Sequence, residues 1–438
     1  MIVRPFTWRP QPIALDHQGQ PISHSTKVDS ICFSMSRRSR IHWPLWVFWL
    51  ALGAAVGIYV VAVPCLRMLW HGSPGPSTNG WSEPQLGEQM AAHGAALFMM
   101  AWFFALGASF GSFVNVVAWR VPHGVTLLGS SRCPHCRVQI AKRDNVPILG
   151  WIKLRGRCRR CHLPISSRYL WVELALGLIY MVLGLQLFFR AGANVPGGPF
   201  FPVSPGLGWI NFRLEPELVR LFLDHAFLFS VLLTLALMCW DRLQPPRSFA
   251  LPCLLTVVFL PWIWTDLHPV KWDDWQSVGT LPMASPWWNR FLTGGVGLVA
   301  GTLWGALLGA NWNQPNAWPD TRPLVQESSY ALGLCGAALG WQAMLAIATL
   351  AATGRLAAVA IERRQLAARR PTPAGFFLAS AFVLVCGWKW FDQIAAPIPS
   401  WTACSLLITA TLFCTAASSW VLMRHRKPTP CPDGSVSK

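Results

Sequence analysis

The feature that most constrains this chain is the recurrence of apolar runs of about 20 residues along its 438 residues. One helix of that length crosses the hydrocarbon core of a bilayer. Such runs fall at about 45–64, 95–118, 169–189, 219–240, 249–265, 291–309, 375–395 and 401–423. In lipid, every backbone N–H and C=O must be satisfied within the protein, and a helix achieves this inside one segment. The pattern therefore predicts an all-α polytopic membrane protein. Only 12% of the residues are charged, against about 25% in soluble domains. The 26 tryptophans fit as well, because indole rings favour the membrane–water boundary.

A further apolar run, Ser329–Ile361, is 33 residues long and exceeds one span of about 20. As a single crossing it would leave Arg363, Arg364, Arg369 and Arg370 on the outer side. As two short helices broken near Gly340-Trp341, it returns that cluster to the cytosol, where basic residues accumulate. The broken pair is the expectation. It brings the count to about ten membrane-embedded helices, with both termini cytosolic in a multi-pass protein.

The net charge of +18 raises the question of nucleic acid. The bases cluster in loops beside the spans, however, so positive-inside topology accounts for them. Membrane lipid is the expected partner, and nucleic acid is not. The loop Trp119–Arg168 carries eleven Lys/Arg and a single acid, Asp144, which places it in the cytosol.

That loop also holds Cys133-x-x-Cys136 and Cys158-x-x-Cys161, with 21 residues between the pairs. Each knuckle can offer two thiolates, and the intervening loop can close the pairs into a tetrahedral four-thiolate zinc site. Reduced, unliganded cysteines or two disulfides are the alternatives, and a cytosolic location disfavours disulfides. Several other cysteines lie inside apolar runs and read as small buried residues.

The same region carries a family resemblance. GSFVNVVAWRVP (111–122), CPHC (133–136), DNVPILGWIKLRGRCRRC (144–161) and PISSRYLWVELALGL (164–178) resemble, in order and spacing, the N-terminal domain of the bacterial type IV prepilin leader peptidase family. The resemblance runs over about 104–187. It implies a polytopic inner-membrane enzyme that cuts the basic leader from prepilin or pseudopilin precursors. It also implies N-methylation of the new N-terminal residue with S-adenosylmethionine. No Gly-rich nucleotide loop on a strand–helix unit is visible, so that cofactor rests on the resemblance alone.

By the same resemblance, proteolysis requires two aspartates: one at the cytosolic end of a span, seven residues before a Pro, and one in a Gly-x-Gly-Asp motif. Two such carboxylates share a proton, so one acts as base to water while the other protonates the leaving amine. Counting back from Pro246 gives Cys239, and from Pro245 gives Met238; Asp241 lies beside them. Gly-x-Gly-Asp is absent. The segment that follows it in the family resembles Leu332–Gln342, especially Gly336–Gln342, and ungapped counting places Ser328, next to Glu327, where the second aspartate belongs. Tyr330 replaces the basic residue after it.

Two readings stand open for the catalytic residues: Asp241 and Glu327 form a displaced dyad, or the peptidase half is a retained scaffold without proteolysis. A third, from another class, is a non-enzymatic assembly factor that docks a partner on its zinc loop. Within the N-terminal unit, Gly107, Gly111 and Ser112 permit close helix approach. Arg120 is expected to meet lipid phosphate, and Glu173 to pair with a base of the loop. The domain organisation reads as a basic cytosolic tail (1–44), an additional N-terminal membrane helix (45–64) and the zinc-bearing unit (104–187, with the loop at 119–168). A peptidase-like membrane domain (219–395) and a C-terminal span (401–423) follow. Met35-Ser-Arg-Arg before the first span looks like a natural start, which makes 1–34 a candidate disordered tail or an upstream extension.

Overall fold

The structure, a computed structural model, describes residues 53–71, 86–195, 214–264, 267, 286–312, 322–361, 372–395 and 400–424. The basic tail, the arginine cluster at 363–370 and most of the loop at 266–290 lie outside the described residues. What is described is helical, and two isolated β-bridges in the cysteine loop are its only strand-like pairings. The helices are α1 (Val63–His71, preceded by a π turn at Ile58–Ala62), α2 (Leu86–Arg120), a short α3 (Leu149–Lys153), α4 (Arg168–Gly184, continued as a π turn through Phe189), α5 (Pro216–Trp240) and α6 (Arg247–Ile263). They continue as α7 (Pro286–Asn311), α8 (Arg322–Leu339), α9 (Trp341–Ile361), α10 (Pro373–Ala395) and α11 (Ser400–Arg424).

Seven of these are long and apolar enough to cross a membrane: α2, α4, α5, α7, α9, α10 and α11. The stretches Gly53–Leu66 and Arg247–Pro261 are apolar but shorter, and α6 carries Pro252 and Pro261 within it. The tenth expected helix, α8, is 18 residues long and falls short in apolarity, because Arg322, Gln326, Glu327, Ser328 and Ser329 occupy its first half. Ten crossings are thus an expectation of which seven meet the physical requirement.

The expected break does occur at Gly340, whose φ of +91° is a conformation open to glycine and costly for other residues. It is a reversal of direction. A Cβ on Gly340 would meet Thr293 near the start of α7, whereas Arg355 of α9 donates to the Asn311 carbonyl at the end of α7. Helix α9 therefore runs parallel to α7, and α8 antiparallel to it.

The α7–α8 seam is the closest packing in the bundle. Gly297, Gly301, Gly305 and Gly309 recur every fourth residue, and a Cβ on each would collide with the α8 backbone at Gly336, Leu332–Gly333, Ser328–Ser329 and Leu324–Val325 in turn. Glycines at i, i+4 and i+8 share one helix face, and in lipid, where no hydrophobic drive pulls helices together, such backbone approach supplies the association through close van der Waals contact. A second close approach joins α2 to α4: Gly107 faces Leu176 and Gly177, and Gly111 faces Glu173, with 2.7 Å between its would-be Cβ and the Glu173 Cα. The core between these pairs is aliphatic and aromatic, with Phe103, Phe188, Phe222 and Tyr180 in mutual ring contact.

Candidate functional site

The cysteine loop folds as two copies of one turn. Cys133 N–H donates to Val138 C=O at 3.0 Å and Arg137 N–H to Cys133 C=O at 2.9 Å. In the second knuckle Cys158 N–H donates to Leu163 C=O at 2.9 Å and His162 N–H to Cys158 C=O at 3.0 Å. The residue after each second cysteine, Arg137 and His162, is left-handed with φ of 55° and 56°. Each knuckle is closed by one β-bridge, Arg132 with Gln139 and Arg157 with Pro164.

The four Sγ atoms lie within 4.8 Å of one another, with Cys133–Cys161 at 3.8 Å and Cys136–Cys158 at 3.9 Å. Four thiolates on a tetrahedral ion at 2.3 Å bonds stand about 3.8 Å apart. The donor set fits a metal ion, and none of the four is disulfide-bonded. The backbone N–H groups of Cys161 and Arg160 hold the Cys158 thiol down to about 6, which favours the thiolate that a metal requires.

The loop is tied to the helices by polar contacts that the sequence did not reveal. Arg159, between the second pair of cysteines, grips Asp144 with two bonds of 2.6 Å. The hydrogen bond from Arg159 holds the Asp144 carboxyl below the usual carboxylate range. Gly150 lets α3 pass against the Asp144 carbonyl, where a Cβ would collide. Trp151 lies over Gly156 and donates to the Ile165 carbonyl at 3.3 Å. Glu173, expected to meet a loop base, instead accepts the Ile148 backbone N–H at 2.7 Å, with Ser112 beside it. Ile148 has φ of 62°, so its amide is turned toward α4. Arg120 donates to the carbonyls of Thr126, Leu127 and Ser130, satisfying the loop backbone from within.

On the same side of the bundle, the residues nominated for catalysis have separate partners. Asp241, just after α5, accepts two bonds from Arg168 Nη1 at 2.5 and 2.6 Å, and both side chains are partly exposed. Glu327 is fully buried. Its Oε1 accepts the Ala374 N–H at 3.1 Å, and its carboxylate lies against the side chains of Cys239 and Thr372. Its Oε2 has no hydrogen-bond partner among the described residues. Cys239 is also fully buried.

Glu327, rather than Ser328, is therefore the residue of α8 that reaches α5. Ser328 sits on the seam, its backbone against Gly305, and one residue turns a helix by about 100°. Gln326 fastens the same turn by donating to the Pro245 carbonyl at 3.2 Å. The pair that closes between α5 and α8 is a thiol and a carboxylate.

Comparison with known proteins finds relatives of this sequence. Residues 105–187 match the model of the bacterial peptidase A24 N-terminal domain. A prepilin leader peptidase/N-methyltransferase of Myxococcus xanthus is 36% identical over 160 residues, covering 36% of this chain and 39% of that protein. One of Klebsiella pneumoniae is 44% identical over 114 residues, covering 24% of this chain and 49% of the relative. One of Stutzerimonas stutzeri is 26% identical over 343 residues, covering 70% of this chain and 96% of the relative. Residues 105–187 of this chain are thus similar to the N-terminal domain of that family. The chain spans less than half the length of the first two prepilin peptidase relatives and extends over nearly the whole of the third at lower identity. No solved structure matches the chain.

Two functional features were not read from the sequence. The glycine seam was visible as a four-residue repeat in 297–309. The Cys239–Glu327 contact, between residues far apart in the chain, left only the weak signal of an acidic residue beside the ungapped position.

Proposed function

We propose that this protein is an inner-membrane member of the prepilin peptidase family that has kept the zinc-bearing unit and dispensed with two-carboxylate proteolysis. The reading gives it one zinc ion on Cys133, Cys136, Cys158 and Cys161, on the cytosolic side where both termini also lie. Its substrates are precursors of pilin-like proteins, and its retained activity is methyl transfer from S-adenosylmethionine to their N-terminal residue.

The observation that supports loss of proteolysis is the Cys239–Glu327 contact. One buried carboxylate can act as base or as acid, but splitting the roles requires a second that shares its proton. A neutral thiol is a poor substitute, and Asp241 is engaged by Arg168.

Purified protein in lipid, given a prepilin and labelled S-adenosylmethionine, tests the proposal. The expected result is an intact leader, with label entering a substrate whose leader has been removed beforehand. Leader cleavage that disappears in both Asp241→Asn and Glu327→Gln would replace this reading with the displaced dyad. Absence of both cleavage and label would favour the assembly factor.

A further inference from the structure

We infer that the short helix α3 and the bases that follow it form a docking face for anionic phospholipid headgroups in the leaflet on the cysteine-loop side. The inference begins from depth. Glu173 lies five residues into α4, about 7.5 Å along its axis, yet its carboxylate accepts the N–H of Ile148, the residue immediately before α3. The loop is therefore pulled back to the level at which α4 enters the membrane.

Exposed aromatic residues mark that level independently. Trp119 at the end of α2, Tyr169 and Trp171 at the start of α4, and Trp240 at the end of α5 are all exposed, and rings of this kind collect at the headgroup boundary. Helix α3 is thus held beside the belt.

Its composition suits that place. Gly150 and Trp151 turn inward to pack on Asp144 and Gly156, while Leu149 and Ile152, three residues apart and so on one face, are 59% and 48% exposed. Among the described residues, nothing covers them. Lys153, Arg155 and Arg157 follow, all exposed. Apolar side chains flanked by bases are the chemistry of an interfacial segment that sinks into the headgroup region and attracts anionic lipid. Of the two acids beside this face, Asp144 is bound by Arg159 and the buried Glu173 by the Ile148 amide, so the exposed charges from Lys153 to Arg160 are all basic. A peptide segment of basic character would be repelled by the same surface, which is why lipid is the occupant assigned here.

Amide hydrogen exchange of the full chain, in phosphatidylcholine nanodiscs with and without phosphatidylglycerol, tests the inference. Peptides covering 146–157 are expected to exchange more slowly when phosphatidylglycerol is present, by roughly fivefold for each basic residue engaged. The difference should disappear at high salt. The Lys153→Glu/Arg155→Glu variant should lose the difference while its metal content, read on the same sample, stays that of the wild type. Equal exchange of the wild-type peptides in the two lipids would overturn the inference without reference to any variant. So would protection that requires a basic leader peptide and is indifferent to lipid charge, which would assign the face to a peptide. Neither result depends on whether the protein methylates or cleaves.

Discussion

Cys239 at the end of α5 and Glu327 in the first half of α8 meet in the protein interior, both fully excluded from solvent. Burying an ionised carboxylate without a cationic partner is costly, and among the described residues Glu327 bonds with an amide N–H, a thiol and a hydroxyl. Glu327→Gln keeps the shape, removes any charge and leaves an acceptor for Ala374 N–H. Its melting temperature in lipid or detergent is expected to equal or exceed that of the wild type. A fall of several degrees would mean that an ionised Glu327 is held by a favourable partner, as a working catalytic carboxylate would be.

Zinc content should follow the four thiolates. Purified wild-type protein is expected to carry one zinc per chain, and Cys133→Ser to lose it, because tetrahedral closure needs all four donors. Elemental analysis of the two proteins decides this; unchanged zinc in the variant would place the metal elsewhere.

The grip of Arg159 on Asp144 orients the second knuckle from outside the ligand set. Residues in that position typically change metal affinity by about 10–100-fold when removed. Asp144→Ala is expected to release metal to a chelator at least tenfold faster than wild type, with the helical circular dichroism unchanged. Equal release rates would show that the knuckles hold their shape without the tether.

Bulk in the α7–α8 seam should be poorly tolerated. Gly301→Leu and Gly305→Leu push side chains into the α8 backbone and are expected to lower the melting temperature sharply. Gly295→Ala, with nothing within 4 Å of its would-be Cβ, is the control that should leave it unchanged. Similar behaviour of all three would mean the seam is not the packing that holds α8.

Topology reporters test the reversal at Gly340. A fusion after Arg370 is expected to report the cytosol, and one at Gly340 the opposite side, because α9 retraces the membrane along α7. An external signal after Arg370 would show that α8 and α9 cross only once.

How much of this was legible in the sequence depended on the range of the interaction. The four-cysteine cluster was legible, because each knuckle is local and its partner lies 25 positions further along in a similar turn. The break at Gly340 could be inferred from length, since 33 apolar residues overfill a bilayer. What escaped was orientation. Ungapped counting pointed to Ser328, but the rotation of α8 is fixed by four glycines on another helix, and that rotation turns Glu327 toward α5. The partner of Glu173 was misread for a related reason: a buried carboxylate beside a basic loop suggests a side-chain base, whereas the backbone amide of Ile148 is nearer and has to be satisfied.

The glycine seam also bears on how the protein is made. With its polar first half, α8 lacks the apolarity that lets a nascent segment leave the translocon for lipid by itself. Its backbone interlocks with α7 along its whole length, so the two must partition as a single hairpin, α7 escorting α8 into the bilayer before the thiol–carboxylate contact can form. Insertion reporters on 322–339 alone should show translocation, and on 286–339 retention in the membrane. The reverse would separate the two helices at birth.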